Sequence, residues 1–238
     1  MIIDSILGGL AIGLGSIAYM TIYDGTQAGS IIAALCFSII MMAIPFYKLD
    51  FFLGRPGVLS DKNNDPIETG IVYMGNFIGI TWAALVIKLF PEYGEKIGQY
   101  ANYTLKTLHG FTWDTVLVLS IFAGMMFYAG AMATTKGHTI FYFLLVNIVC
   151  IFAKWPTVHL VMFCLWSDTW ANYWYLIIPT TIGNVIGSNA WIMMRKHSPN
   201  YKNKEYITPD SYDIVDRFRD FVYNNQNQSK NKDNLFHM

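Results

Sequence analysis

The sequence predicts an all-α membrane protein with six transmembrane helices, arranged as two inverted three-helix repeats whose second and fifth helices are broken. Of its 238 residues, 54% are hydrophobic and 13% are charged, whereas soluble domains carry about a quarter charged residues. Six apolar segments each approach the ~20 residues that a membrane-spanning helix needs. A pentapeptide also recurs at corresponding places, which indicates an internal repeat.

We place the six segments at 3–23, 29–53, 67–90, 111–133, 139–166 and 173–194. Together they form a transmembrane domain of residues 1–195. The stretch 91–107 is amphipathic, and we expect a linker or a short interfacial helix there. Residues 196–238 are polar and rich in Asn and Lys, so we expect a cytoplasmic tail that is partly disordered.

Two of the apolar segments contain polar interruptions. The second segment meets Pro45 and then carries Lys48 and Asp50, and the fifth contains Lys154 followed by Pro156. Unpaired backbone groups in hydrocarbon cost several kcal/mol each, so a broken helix survives only where protein buries it or where it lines a wet cavity. The two breaks therefore predict the wall of a pore.

The repeated pentapeptides are GNFIG, which starts at Gly75, and GNVIG, which starts at Gly183, 108 residues later. Each lies in the third segment of a three-segment half. Because three is an odd number, the two halves run in opposite directions across the membrane. Inverted repeats with paired broken helices point to a central permeation site. The alternative is that the Gly-Asn pairs are chance helix-packing residues.

The distribution of charged residues and the residue composition indicate the orientation of the protein and exclude some classes of function. Lys and Arg are concentrated on one side, which predicts that both termini are cytoplasmic. We expect the protein to lie in the plasma (inner) membrane. The net charge is zero, which argues against a nucleic-acid partner. The three cysteines lie in apolar runs, and there is no metal-ligand spacing or catalytic constellation. We therefore expect no enzymatic activity, metal or cofactor.

The stretch IPTTIGNVIG at 178–187 resembles the sixth-helix pattern of the formate/nitrite transporter family. Residues 75–79 match the Gly-Asn-x-x-Gly of its third helix, and 37–38 and 50–55 align with its second helix. The resemblance extends to about residue 195. It implies a homopentamer of aquaporin-like protomers in the bilayer, each with a pore for a small monovalent anion such as formate, nitrite or hydrosulfide.

The resemblance also implies roles for individual residues. The apolar pore constriction corresponds to Phe37, Met41, Phe51 and Leu53, and the structural pore loops correspond to Gly54, Asn76 and Asn184. At two of these places the sequence differs from the family, because Leu53 stands for a pore-facing threonine and Arg55 for an asparagine.

The pore residue of the fifth helix has two candidates. The family motif Gly-Phe-Glu-His-x-x-Ala-Asn is absent, and the spacing leaves Lys154 and His159 open. A lysine inside a membrane segment costs roughly 2.5–3.5 kcal/mol, so Lys154 is expected to face protein or water and attract an anion. The alternative is that it extends to the membrane surface.

Two further cations, Lys48 and Arg55, complete the predicted anion-attracting set. For Lys48 the alternative is an ion pair with Asp50 that holds the broken loop. For Arg55 the alternative is an ordinary cytoplasmic residue that sets the orientation of the helix.

These observations favour a channel for a small monovalent anion that is passive or proton-coupled. The absence of the pore threonine and of the histidine motif keeps a second hypothesis open, a pore for a small neutral solute on the same scaffold. A third is a non-conducting membrane scaffold protein that acts through its tail.

We predict that Lys154→Met sharply reduces anion flux into liposomes without disturbing assembly, because it removes the charge that attracts the anion. Flux measured across a range of pH tests this. Unchanged flux at every pH would exclude the role assigned to Lys154.

Overall fold

The computed structural model describes residues 1–23, 25–54, 66–134, 138–152, 157–167 and 173–196, and within these ranges the chain is helical without strands. In chain order the helices are α1 (Ile2–Ile22), α2 (Gln27–Met41), α3 (Ala43–Phe46), α4 (Pro66–Ile87), α5 (Pro91–His109), α6 (Trp113–Thr134), α7 (Thr139–Phe152), α8 (Val158–Ser167) and α9 (Ile177–Lys196). Short 3-10 turns lie at Phe52–Gly54 and Trp174–Leu176. Apart from Lys196, the predicted tail lies outside the described residues.

Five of the six predicted segments contain helices long and apolar enough to cross a membrane. These are α1, the continuous stretch Gln27–Phe46, α4, α6 and Trp174–Met194. The predicted fifth segment instead holds two shorter helices, α7 and α8, which end at Phe152 and begin again at Val158. Residues 153–156, where the interruption was predicted, lie outside the described residues.

The break in the second segment begins two residues later than Pro45. Pro45 is the third residue of α3, and the helix continues past it although proline has no N–H to bond the carbonyl four residues earlier. The helix ends beyond it, because Lys48 adopts a left-handed φ of 57°. The N–H groups of Leu49 and Lys48 donate to the carbonyls of Ile44 (2.9 Å) and Pro45 (3.4 Å), the bond pattern of a Schellman helix end.

The amphipathic stretch after α4 is longer than a linker or a short interfacial helix. It forms α5, a helix of 19 residues that packs against α1 and α8. Its buried face carries Ile97, Ala101, Leu105 and Leu108, at the spacing that places side chains on one side of a helix. The sequence window is too polar to indicate this burial, which depends on the neighbouring helices.

Glycines set the separation of the two most closely packed helix pairs, α1 with α4 and α6 with α9. A Cβ atom at Gly79 would collide with the Ile6 carbonyl, and one at Gly187 would collide with the Ile121 carbonyl. Close backbone approach of this kind is how helices associate in membranes, where lipid removes the usual hydrophobic drive.

We predict that Gly187→Ala lowers the melting temperature of the detergent-solubilised protein, because overpacking a tight contact costs about 1–3 kcal/mol. The matched control is Gly70→Ala, since Gly70 is helical and a Cβ there meets nothing within 4 Å. Thermal unfolding followed by size-exclusion chromatography compares the two. Equal melting temperatures would contradict the close packing of α6 and α9.

Candidate pore site

The broken second segment is joined to the rest of the protein by the side-chain amide of Asn76. The Phe52 N–H donates to Asn76 Oδ1 at 2.9 Å. In turn, Asn76 Nδ2 donates to the carbonyls of Ser5 at 2.7 Å and Asp50 at 3.0 Å. Asn76 is fully buried, and a buried backbone group left unpaired would cost about 1–3 kcal/mol. One side chain therefore satisfies a carbonyl within the break, at Asp50, and the N–H that starts the following 3-10 turn, at Phe52.

Asn184 has the same position in the second half. The Val158 N–H donates to Asn184 Oδ1 at 2.9 Å, and Asn184 Nδ2 donates to the Ser120 carbonyl at 2.8 Å. Thr157 caps the helix that starts here, since its hydroxyl accepts the Leu160 N–H at 3.3 Å. The beginning of α8 is therefore held by a buried amide and a hydroxyl.

Glycine is required beside both amides. A Cβ at Gly9 would collide with the Asn76 carbonyl, and one at Gly124 would collide with the Asn184 carbonyl. Around both asparagines the same local arrangement therefore recurs, a glycine on the neighbouring helix and a buried amide that accepts the N–H at the start of a 3-10 turn or of a helix.

His159 lies in the first turn of α8, inside a cluster of aromatic rings. Its ring centroid is 5.1 Å from that of Phe51 and 6.2 Å from that of Phe52. Phe51 also contacts Phe127 of α6, with centroids 5.6 Å apart and the rings nearly edge to face. The His159 side chain is 2% exposed. The break of the second segment and the beginning of α8 therefore meet at this imidazole.

Both ring nitrogens of His159 lack a hydrogen-bond partner within the described part of the chain. Buried side-chain polar atoms are nearly always bonded to protein or water, so an exception needs an explanation. A solute or a water molecule in the cluster is the group that would satisfy them. The neutral imidazole thus has one donor and one acceptor without a partner in the described part of the chain.

The predicted constriction residues are all buried. Phe37, Met41, Phe51 and Leu53 are each exposed by 5% or less. Phe51 contacts His159 directly, whereas Phe37 lies against the α1 face that carries Gly15. The Leu53 carbonyl accepts a bond from Ser188 Oγ at 3.5 Å.

The predicted pore-loop glycine and the cations are placed as follows. Gly54 ends the 3-10 turn and lies against Ala131 of α6. Lys48 is exposed at the end of α3, and the Asp50 carboxylate contacts the Ser5 hydroxyl at 3.5 Å. Lys154 and Arg55 lie outside the described residues.

Sequence reasoning missed one contact between the halves. The Tyr73 hydroxyl of α4 and the Thr181 hydroxyl of α9 are 3.3 Å apart, at hydrogen-bond distance. The two residues are separated by 108 positions, the same interval that separates the two pentapeptides. That interval is the signal from which the pair could have been predicted.

No protein-family profile matches the chain, and no curated protein sequence matches it. Among solved structures it is similar to a pentameric formate channel with formate bound, with a TM-score of 0.67 and 17% sequence identity. The match covers 81% of this chain and 93% of that channel. The protein is therefore an all-α integral membrane protein with the fold of a formate channel.

Proposed function

We propose that the protein is a channel or transporter for a small monovalent anion of the formate, nitrite or hydrosulfide type, as a divergent member of the formate/nitrite transporter family. The observation that carries the proposal is His159, a buried imidazole whose nitrogens have no partner among the described residues. It lies where the two broken segments meet, in a chain that shares the fold of a formate channel.

We also infer the architecture that the sequence predicts, six helices in two inverted repeats. Its support is the recurrence of one hydrogen-bond pattern, in which Asn76 bonds to Ser5 and Phe52, and Asn184 bonds to Ser120 and Val158. In this proposal α7 and α8 together form the fifth span. The asparagines and Gly54 act as structural pore loops and do not contact the solute.

The apolar rings around His159 make the passage unfavourable for a charged solute. An ion that leaves water for a low-dielectric passage faces a penalty of several kcal/mol even after relaxation. The positive end of the α8 dipole favours negative charge nearby. An anion that takes up a proton from water before the constriction crosses it as a neutral acid and releases the proton on the far side, so conduction is passive or coupled to protons.

The remaining predicted residues complete this proposal. Lys154, Lys48 and Arg55 raise the local concentration of anions on the approaches to the passage. Phe37, Met41, Phe51 and Leu53 exclude water and hydrated ions from it. The functional unit is a homopentamer in the inner membrane with cytoplasmic termini, and each protomer conducts through its own pore.

A pore for a small neutral solute is the second candidate. The side chains that contact the His159 ring, Phe51 and Phe52, are apolar, and Leu53 brings no hydroxyl to the same loop. Swelling of proteoliposomes in glycerol, urea or ammonia, compared with formate, separates the two candidates.

We predict that His159→Phe reduces formate flux into proteoliposomes at least about tenfold, equivalent to about 1.4 kcal/mol in the barrier. Phenylalanine keeps the aromatic packing and removes both ring nitrogens. Stopped-flow measurement with an internal pH-sensitive dye gives the rate and its pH dependence. The histidine control is His138→Asn, because His138 is exposed before α7.

If His159→Phe conducts formate at the wild-type rate, His159 does not lie on the solute path. Wild-type liposomes that conduct neutral solutes but no anion would contradict the anion channel and support the second candidate.

A further inference from the structure

The burial pattern of α4 recurs in α9 with the repeat interval. Residues 73–80 and 181–188 show the same order of half-buried, exposed and buried positions. The exposed positions of both helices carry apolar side chains, as a face toward lipid requires: Met74 and Ile78 on α4, and Ile182 and Ile186 on α9. Tyr73 and Thr181 lie beside these faces, at the half-buried positions.

The half-buried face of α4 is directed toward other parts of the protein. Phe77, one turn after Tyr73, contacts the Trp166 ring of α8 with centroids 6.2 Å apart. Tyr73 itself bonds to Thr181 of α9. Two hydroxyls therefore meet between membrane-spanning helices while both side chains stay partly accessible.

Tyr73 also connects this hydroxyl pair to the histidine cluster. The Tyr73 and Phe52 rings are nearly edge to face, with centroids 5.0 Å apart, and Phe52 contacts His159. Only the Phe52 ring thus separates the pair from the imidazole. The loop beside it carries Leu53, which has no hydroxyl.

We propose that Tyr73 and Thr181 form a second polar site on the solute path, at which paired hydroxyls select solutes that accept hydrogen bonds. This inference rests on the proposed function, since it requires a path past Phe52. The site takes small oxyanions in preference to anions that accept hydrogen bonds weakly. Both hydroxyls can rotate, so each can turn from its partner to the solute as the solute passes.

The hydrogen-bonding capacity of the two hydroxyls is suited to selecting between solutes. A hydroxyl donates one hydrogen bond and accepts others, so the pair offers donors without a fixed charge that would trap an anion. A site that hydrogen-bonds its solute discriminates against one that cannot return the bond, because its own polar atoms are then left unpaired. In a purely structural brace, loss of the bond would lower stability without changing which solute passes.

The test is the ratio of formate flux to hydrosulfide flux in proteoliposomes, because the carboxylate accepts stronger hydrogen bonds than the sulfur. We expect Tyr73→Phe and Thr181→Val each to lower this ratio about fivefold, the discrimination that one hydrogen bond provides. The double variant should lower it further than either single one, because each hydroxyl makes its own bond to the solute.

The control variants are Tyr103→Phe and Thr107→Val on α5, which remove the same groups from an exposed and a half-buried position outside the histidine cluster. They should leave the ratio unchanged. If the wild type conducts formate and neither Tyr73→Phe nor Thr181→Val changes the flux ratio, the inference is overturned and the proposed function stands. This holds whether or not the variants have lower melting temperatures.

Failure of the proposed function gives a different result. If the wild type conducts neutral solutes and no anion, the anion channel is excluded and the pair is tested on the ratio of urea to ammonia flux, with the same fivefold fall expected. If the wild type conducts nothing, both proposals are overturned.

Discussion

Two buried asparagine amides are the interaction on which the rest of the structure depends. A helix that breaks inside a membrane exposes N–H and C=O groups that lipid cannot satisfy. Asn76 bonds to those groups in the break of the second segment, and Asn184 bonds to the first N–H of α8. The amides reach them only because Gly9 and Gly124 have no side chain, so that a neighbouring helix can approach each asparagine backbone. The broken helices therefore require the small-residue faces, because the amides cannot reach the unpaired backbone groups without them.

This requirement explains why the chemistry lies at the centre of the fold. A break that is held by an amide ends one helix and starts another at a defined point, and α8 starts beside the Phe51 and Phe52 rings. His159, in the first turn, is thereby placed among apolar groups that give its nitrogens no partner in the described chain. In the channel that we propose, this imidazole is the group that bonds to the solute.

The sequence predicts the membrane helices, the two breaks and the paired Gly-Asn motifs, because hydropathy and small-residue spacing are local signals. It leaves Lys154 and His159 open, because a break removes the 3.6-residue period on which counting along a helix depends. It underestimates α5, whose burial comes from α1 and α8. The left-handed backbone conformation of Lys48 follows from the geometry of the helix end. A lysine in the sequence does not indicate that conformation. The Tyr73–Thr181 contact depends on the mutual orientation of two distant helices.

The most direct test of the central claim is a cryo-electron microscopy structure of the protein in lipid nanodiscs with formate. We predict both amide networks and density for the solute within hydrogen-bond distance of the His159 ring, inside each protomer. Solute density elsewhere, with an unbroken second helix or with His159 bonded to protein, would contradict the claim that paired amides hold open a path at this imidazole.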